Sequence, residues 1–115
     1  MIQTNGLEEA LAEFAAERDW DQFHTPKNLA LSLVGEVGEL CELLQWKTED
    51  DIASALSKPE FRSDLSDEIA DVLIYLVRLA SVTGIDLNEA VTRKIEKNGD
   101  RYPAKEVRGR ADKRP

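Results

Sequence analysis

The sequence predicts an all-α fold, a four-helix-bundle-like arrangement with one additional short helix. Apolar residues recur at helical spacing along most of the 115 residues. No segment shows the alternation of apolar and polar residues that is typical of β-strands. Capping residues and prolines stand at the starts of the periodic segments, and the connections between these segments are short. Together these observations indicate four main helices packed against one another.

The first two helices are predicted from spacing and from a capping signal. Apolar residues at i, i+4, i+7 and i+8 indicate a first helix from about Gly6 to Asp19. Thr25 then provides an N-cap, and Pro26 follows at the first helical position, where its missing N–H costs nothing. We therefore expect the second helix to run from Pro26 to about Trp46, a length of roughly 30 Å at 1.5 Å per residue.

The next segments contain a short helix and a long one. Thr48, followed by three acidic residues, is typical of a short helix start. Ser57 precedes Lys58 and Pro59, so we expect Ser57 to cap a long third main helix. This helix should continue to about Val82.

The third main helix should end at Gly84, and a fourth should follow it. Asp86, with Glu89 three residues later, is an acidic version of a capping box. The fourth helix is expected to end near Asn98, with Gly99 as a left-handed C-cap.

The chain is predicted to form one domain followed by a tail. Residues 1–103 carry the helical pattern, whereas residues 104–115 lack apolar periodicity and contain five basic and two acidic side chains. We interpret residues 104–115 as a basic, mobile C-terminal tail.

Composition excludes several classes of protein. A net charge of −8 argues against a nucleic-acid partner, which usually selects a basic patch. The longest apolar stretch is far shorter than the ~20 residues that span a bilayer, so no membrane partner is expected. The N-terminus has no export signal, and the single cysteine, Cys41, fits a reducing compartment. We therefore expect a cytoplasmic protein, with Cys41 serving as a small buried hydrophobe.

Two matched pairs of acids interrupt the apolar stripes. Glu36 occupies a stripe position on the second helix, and Glu39 follows three residues later. Glu68 and Asp71 repeat this i, i+3 pattern on the third main helix. The alternative is that these acids line a solvated face beside the stripe.

The sequence around these acids contains few cations. No Lys or Arg lies within residues 29–46 or 65–77. Carboxylates that face each other near a core need cations, protons or a metal to offset their repulsion and desolvation. An all-carboxylate set suits hard ions, so the pattern favours Mg²⁺ or Mn²⁺.

Other side chains have both structural and functional interpretations. Trp20 and Trp46 bracket the second helix and are either core or interface aromatics or stacking surfaces for a base. His24, the only histidine, is either a structural hydrogen-bonding residue or a catalyst. The end of the last helix carries either dipole-stabilising cations or a phosphate site. Its candidate residues are Lys94, Asn98 and Arg101.

Four groups of motifs lie in order along residues 14–103. They are FAAERDW with FHTP (14–20 and 23–26), VGEVGELCE with QWK (34–42 and 45–47), DEIADVLIYL (67–76) and KIEKNGDRYP (94–103). In this order they resemble the MazG-like all-α nucleoside triphosphate pyrophosphohydrolases, in the branch that includes the dCTP pyrophosphatases. Residues 48–61 align loosely with these relatives and contribute no site residue.

The resemblance implies a Mg²⁺-dependent enzyme that cleaves a (d)NTP, such as dCTP, to a monophosphate and pyrophosphate in nucleotide-pool house-cleaning. It also implies a homo-oligomer, either a dimer or a homotetramer, with pockets near subunit interfaces. The implied catalytic residues and metal ligands are Glu36, Glu39, Glu68 and Asp71. The implied substrate-binding residues are Trp20, His24, Trp46, Tyr75, Lys94, Asn98 and Arg101. The proton of the attacking water would pass to one carboxylate, with Glu36 and Glu39 as the candidates.

Two other classes remain to be compared with this one. A di-iron or di-manganese bundle uses Glu-x-x-His pairs, and His24 lies outside both acidic motifs. A non-catalytic helical metal- or partner-binding module would use the acids only as caps or ligands.

Overall fold

A computed structural model of the chain describes residues 3–114, and this part of the chain contains α-helices and no β-strand. The predicted all-α class is therefore confirmed. The helices are α1 (Asn5–Glu17), α2 (Pro26–Glu42), α3 (Glu49–Ala55), α4 (Pro59–Thr83), α5 (Leu87–Arg101) and α6 (Ala104–Val107), with a 3₁₀ turn at Asp21–Phe23. The four main helices and the short α3 match the expected elements, and α6 lies in the segment predicted as a tail.

Three helices begin as their capping residues predict. The Thr25 hydroxyl accepts a hydrogen bond from the backbone N–H of Asn28, with Pro26 at the first position of α2. Thr48 and Asp51 form a reciprocal capping box at α3, with both hydrogen bonds at 3.1 Å. Asp86 accepts from the backbone N–H of Glu89 at α5.

Two local predictions at helix ends are wrong. Ser57 does not cap α4, because Lys58 is the N-cap residue and the Ser57 hydroxyl donates to the Ser54 carbonyl instead. Gly99 is not a C-cap, because α5 continues through it to Arg101. Gly84 does end α4 with a φ of 72°, as expected, and the N–H of Ile85 bonds back to the Ala80 carbonyl.

The first two main helices are shorter than predicted. α1 ends at Glu17, and Asp19 adopts a left-handed φ of 53° that closes the helix in place of glycine. α2 ends at Glu42, after which Gln45 and Lys47 continue in tight backbone turns. The chain therefore keeps winding to Trp46 without remaining an α-helix.

The core lies between α2 and α4, which pack most extensively, and α1 also packs against α4. The buried apolar residues are Ala15, Leu29, Val77 and Ala80. Cys41, expected to be buried, is exposed. Among the described residues, none of the helices combines the length and the apolar character needed to cross a membrane.

Candidate active site

Three carboxylates converge where α2 packs on α4. Glu36 and Glu39 stand one helical turn apart on α2, and Glu68 faces them from α4. Each contributes one oxygen to a group in which all these oxygens lie within 4.8 Å of one another. We refer to Glu36, Glu39 and Glu68 as the carboxylate cluster.

The electrostatics of the carboxylate cluster disfavour the charged forms. Burial raises the pKa of Glu36, and the neighbouring charges of Glu39, Asp71 and Glu68 raise it further. Burial likewise raises the pKa of Glu68, with Glu39 and Asp71 as the next contributors. Asp71 therefore acts on both residues, although it does not share the 4.8 Å group. Without a cation, the cluster favours retaining protons.

Two oxygens of the cluster lack a partner. Oε2 of Glu36 and Oε2 of Glu68 are buried and accept no hydrogen bond. Within residues 3–114, no Lys or Arg forms an ion pair with either side chain. Buried acceptors of this kind cost free energy unless a ligand satisfies them. The atoms that could bind a metal ion are all carboxylate oxygens, so the residues fit a divalent cation.

A cavity of about 290 Å³ opens beside the cluster. The charged and polar residues that line it include Glu36, Asp71, His24 and Arg78. Much of the remaining lining is apolar or aromatic. The further residues are Leu11, Phe14, Trp20, Leu29, Ile74 and Tyr75. Charged groups next to flat apolar surface can accommodate a ligand with an anionic part and a planar part.

The aromatic side of the cavity is held by ring contacts. The Trp20 ring packs edge-on against Phe14 at a centroid distance of 5.8 Å. Trp20 also lies 6.3 Å from the His24 ring, tilted by 59°. Trp20, His24 and Tyr75 also line a second cavity, of about 320 Å³, together with Asn28 and Ser32. His24 thus borders both cavities.

Arg78 is a cavity residue that the sequence analysis does not identify. This side chain is only 8% exposed, donates from Nε to His24 Nδ1 at 3.0 Å and pairs with Asp21 at 2.9 Å. A signal was present: Arg78 lies seven residues after Asp71, two helical turns along the same face of α4.

Four predicted substrate-binding residues lie away from both cavities in the single chain. Trp46 is 88% exposed after α2. Lys94 and Asn98 are exposed on α5. Arg101 is partly buried, and its guanidinium lies 5.5 Å from the Tyr102 ring centroid, with its Nε unpartnered. The single chain therefore brings together Trp20, His24 and Tyr75 but not these four, whose roles stay predictions.

The chain matches a known protein family and is similar in sequence to named mammalian proteins. The MazG-like family matches residues 31–113. Mouse dCTP pyrophosphatase 1 is 54% identical over 102 residues, covering 89% of this chain and 60% of that protein. Human dCTP pyrophosphatase 1 is 57% identical over 93 residues, covering 81% and 55%. The chain thus spans about 60% of the length of these relatives.

A solved structure is similar over nearly its whole length. It is a pyrophosphatase from Archaeoglobus fulgidus, which superposes with a TM-score of 0.81 at 43% sequence identity. The match covers 90% of this chain and 94% of the other. The likeness therefore extends over more of this chain than residues 31–113, which the family matches.

Proposed function

This chain belongs to the MazG-like family, and on that premise we propose that it is a metal-dependent nucleoside triphosphate pyrophosphohydrolase. We propose dCTP or a related deoxynucleotide as substrate, which it cleaves to the monophosphate and pyrophosphate. The names of the mammalian relatives support dCTP, and the name of the archaeal structure supports pyrophosphatase chemistry. The reaction would remove surplus or modified nucleotides from the cytoplasmic pool. The exposed free thiol of Cys41 supports a reducing compartment.

One observation carries this proposal. The carboxylate cluster has two buried oxygens without partners, and it borders a cavity with room for a planar group. A triphosphate is strongly anionic, so an acidic protein repels it unless a cation intervenes. The same unpaired oxygens that disfavour the metal-free state are those that would bind the cation.

We assign Mg²⁺ to this site, with Mn²⁺ as a substitute, because all the ligands are hard oxygens. When bound, the cation would polarise the phosphate oxygens and lower the pKa of a coordinated water. Glu36, Glu39, Glu68 and Asp71 would hold it. One of the first two would also accept the proton of the water that attacks the α-phosphorus. Cleavage there leaves pyrophosphate as the departing group.

The other residues would orient the nucleotide. Trp20 and Tyr75 supply flat surface beside the acids, as a base or sugar requires. His24 offers a hydrogen-bonding group in the same cavity. These contacts fix the substrate in position, which is a large part of catalysis in phosphoryl transfer.

A second copy of the chain would complete the site, as a dimer or a tetramer. The single chain exposes 8837 Å², against about 6,300 Å² expected for a compact monomer of this mass. Its radius of gyration is 17.5 Å, whereas a compact domain of this length has about 13 Å. The excess surface is larger than the roughly 800 Å² that each partner buries in a standard interface.

Part of the exposed surface is apolar and lies on the two central helices. α2 exposes Leu31 and Val34, the latter by 69%, and α4 exposes Ile69 and Leu73 by about half. Apolar patches of this kind are typical of subunit interfaces. Sedimentation analysis at micromolar concentration should find a dimer or tetramer, and a monomer would contradict this part of the proposal. Assembly would also give Trp46, Lys94, Asn98 and Arg101 a route to the nucleotide.

The function is tested by incubating the purified protein with each (d)NTP in Mg²⁺ and separating the products by ion-exchange chromatography. We expect dCMP and pyrophosphate, with dCTP turned over faster than the other nucleotides. A nucleoside diphosphate and orthophosphate would reject cleavage between the α- and β-phosphates. No turnover of any nucleotide would favour a non-catalytic binding module.

A further inference from the structure

A charged side chain outside the carboxylate cluster is buried beside the cavity. Arg78, on α4, is 8% exposed and follows the fully buried Val77. Burying a guanidinium costs free energy unless its donors are satisfied. It makes two hydrogen bonds, both to the segment between α1 and α2: Nε to His24 Nδ1 at 3.0 Å, and a terminal nitrogen to Asp21 Oδ1 at 2.9 Å.

The first of these bonds determines where the histidine proton lies. Guanidinium is always charged and has only donors, so the ring nitrogen that faces it must accept. Nδ1 of His24 therefore carries no proton, and the neutral ring keeps its single N–H at Nε2. The environment agrees, because burial and the Arg78 charge lower the pKa of His24, and the Asp21 charge only partly offsets them.

The second bond fixes the guanidinium itself. Asp21 holds one terminal nitrogen, so the planar group cannot rotate away from the imidazole without breaking an ion pair. Asp21 lies in the 3₁₀ turn whose last residue precedes His24. One short segment thus supplies both partners of Arg78, and α4 supplies the arginine.

The protonated edge of the ring is directed away from Arg78, and His24 borders both cavities. A ligand that contacts this edge therefore meets the Nε2–H of a neutral imidazole, a hydrogen-bond donor whose direction is fixed by Arg78. Among pyrimidines, such a donor discriminates at ring position N3. Cytosine has an acceptor there, whereas thymine and uracil have an N–H. At O2 all three have an acceptor, so a donor would not separate them.

We propose that Arg78 is a positioning residue that holds His24 as an Nε2–H donor, and that this donor selects nucleotides with an unprotonated pyrimidine N3. The selection of a nucleotide rests on the proposed function, whereas the state of His24 does not. This role of Arg78 requires no contact with the substrate, although the residue also lines the cavity. It acts through the imidazole.

The first test uses ¹⁵N NMR of the free protein, in which the single histidine makes assignment unambiguous. In the wild type we expect an acceptor-type shift for Nδ1 and a protonated-type shift for Nε2 at neutral pH. In Arg78→Met both shifts should move toward those of an unconstrained histidine, which exchanges between tautomers. A proton on Nδ1 in the wild type, or identical shifts in the variant, would overturn the proposal.

The second test compares kcat/KM for dCTP and dTTP. Leaving a polar group unpaired costs enough to change such a ratio by about ten- to a hundredfold. We expect Arg78→Met to reduce the preference for dCTP by at least about tenfold, and Arg78→Lys, which keeps one donor, to restore part of it. The matched control is Arg62→Met, an exposed arginine on the same helix. An unchanged ratio in Arg78→Met would overturn the selection step.

The outcomes separate this inference from the proposed function. If no nucleotide is hydrolysed, the function and the selection step both fail, and the NMR shifts still decide whether Arg78 positions His24. If Arg78→Met does not fold, Asp21→Asn loosens the guanidinium from the opposite side. It should then produce a smaller shift change of the same sign, and no change would count against the proposal.

Discussion

Two sides of the cavity solve the problem of buried charge in opposite ways. On one side, Glu36 and Glu68 face other carboxylates, and each has a buried oxygen without a partner. On the other side, the charge of Arg78 is matched by the Asp21 carboxylate and the His24 acceptor. The charge on the first side is unpaired, and we call it the incomplete side; the charge of Arg78 on the second side is paired, and we call it the complete side.

This difference indicates which side of the cavity would gain most from binding a cation. The hydrogen bonds of Arg78 to Asp21 and to Nδ1 of His24 fix these side chains in one geometry, which suits recognition of a rigid base. An incomplete set stores unfavourable energy that a bound cation would release. In the proposed function, the carboxylate cluster therefore carries the chemistry and the side that contains His24 carries recognition.

The largest effect is expected from removing one ligand of the carboxylate cluster. Glu39→Gln keeps the side-chain volume but removes the charge that acts on both Glu36 and Glu68. We predict a loss of kcat of at least about 10²-fold, since transition-state charge stabilisation is of this order. Asp64→Asn, an exposed acid on α4, is the control and should retain activity. Near-full activity in Glu39→Gln would show that the cluster is not the catalytic centre.

A smaller effect concerns stability in the absence of metal. Glu36→Gln should raise the unfolding midpoint of the chelator-treated protein by a few degrees, because it removes like-charge repulsion from Glu39, Asp71 and Glu68. In Mg²⁺ the order should reverse, since only the wild type gains binding energy in the folded state. Calorimetry with and without chelator measures both. If Glu36→Gln is less stable than the wild type in chelator, like-charge repulsion does not destabilise the metal-free carboxylate cluster.

The smallest effect is expected in the pH dependence of folding stability, through His24 on the complete side. The folded-state pKa of His24 is lowered from 6.5, so the unfolded chain binds this proton more readily. The stability that His24 contributes is therefore fully present above the ordinary pKa of 6.5. It is lost as the pH falls from there through the lowered pKa of the folded state. Arg78 and Asp21 are the charges that face the ring from α4 and from the preceding turn.

The measurement is the difference in free energy of unfolding between wild type and His24→Gln, at about pH 7.5 and about pH 5.5. Both chains contain the same carboxylates, whose contributions largely cancel. We expect the wild-type advantage to decrease at the lower pH. An advantage that increases would mean that His24 gains its proton on folding.

Local signals in the sequence predict much of the fold and the acidic side of the site. Thr25 and Thr48 cap their helices because a hydroxyl within three residues of an N–H needs no tertiary context. Glu36 could be placed at the cavity because its position in the apolar stripe fixes its direction.

Features that depend on distant contacts could not be predicted in this way. Arg78 meets His24 across 54 residues of chain, and no local pattern specifies that pairing. Gly99 continues a helix despite its preference for caps, because neighbouring turns of α5 outweigh one residue's propensity. Lys94 and Asn98 lie on a helix with few contacts in the single chain, so their placement depends on what packs against it.

Metal-dependent attack at the α-phosphorus can be followed by ³¹P NMR of dCTP hydrolysis in H₂¹⁸O, with Mg²⁺ and with chelator. We predict ¹⁸O in dCMP, unlabelled pyrophosphate and no reaction in chelator. Label in orthophosphate, or equal turnover without metal, would contradict it.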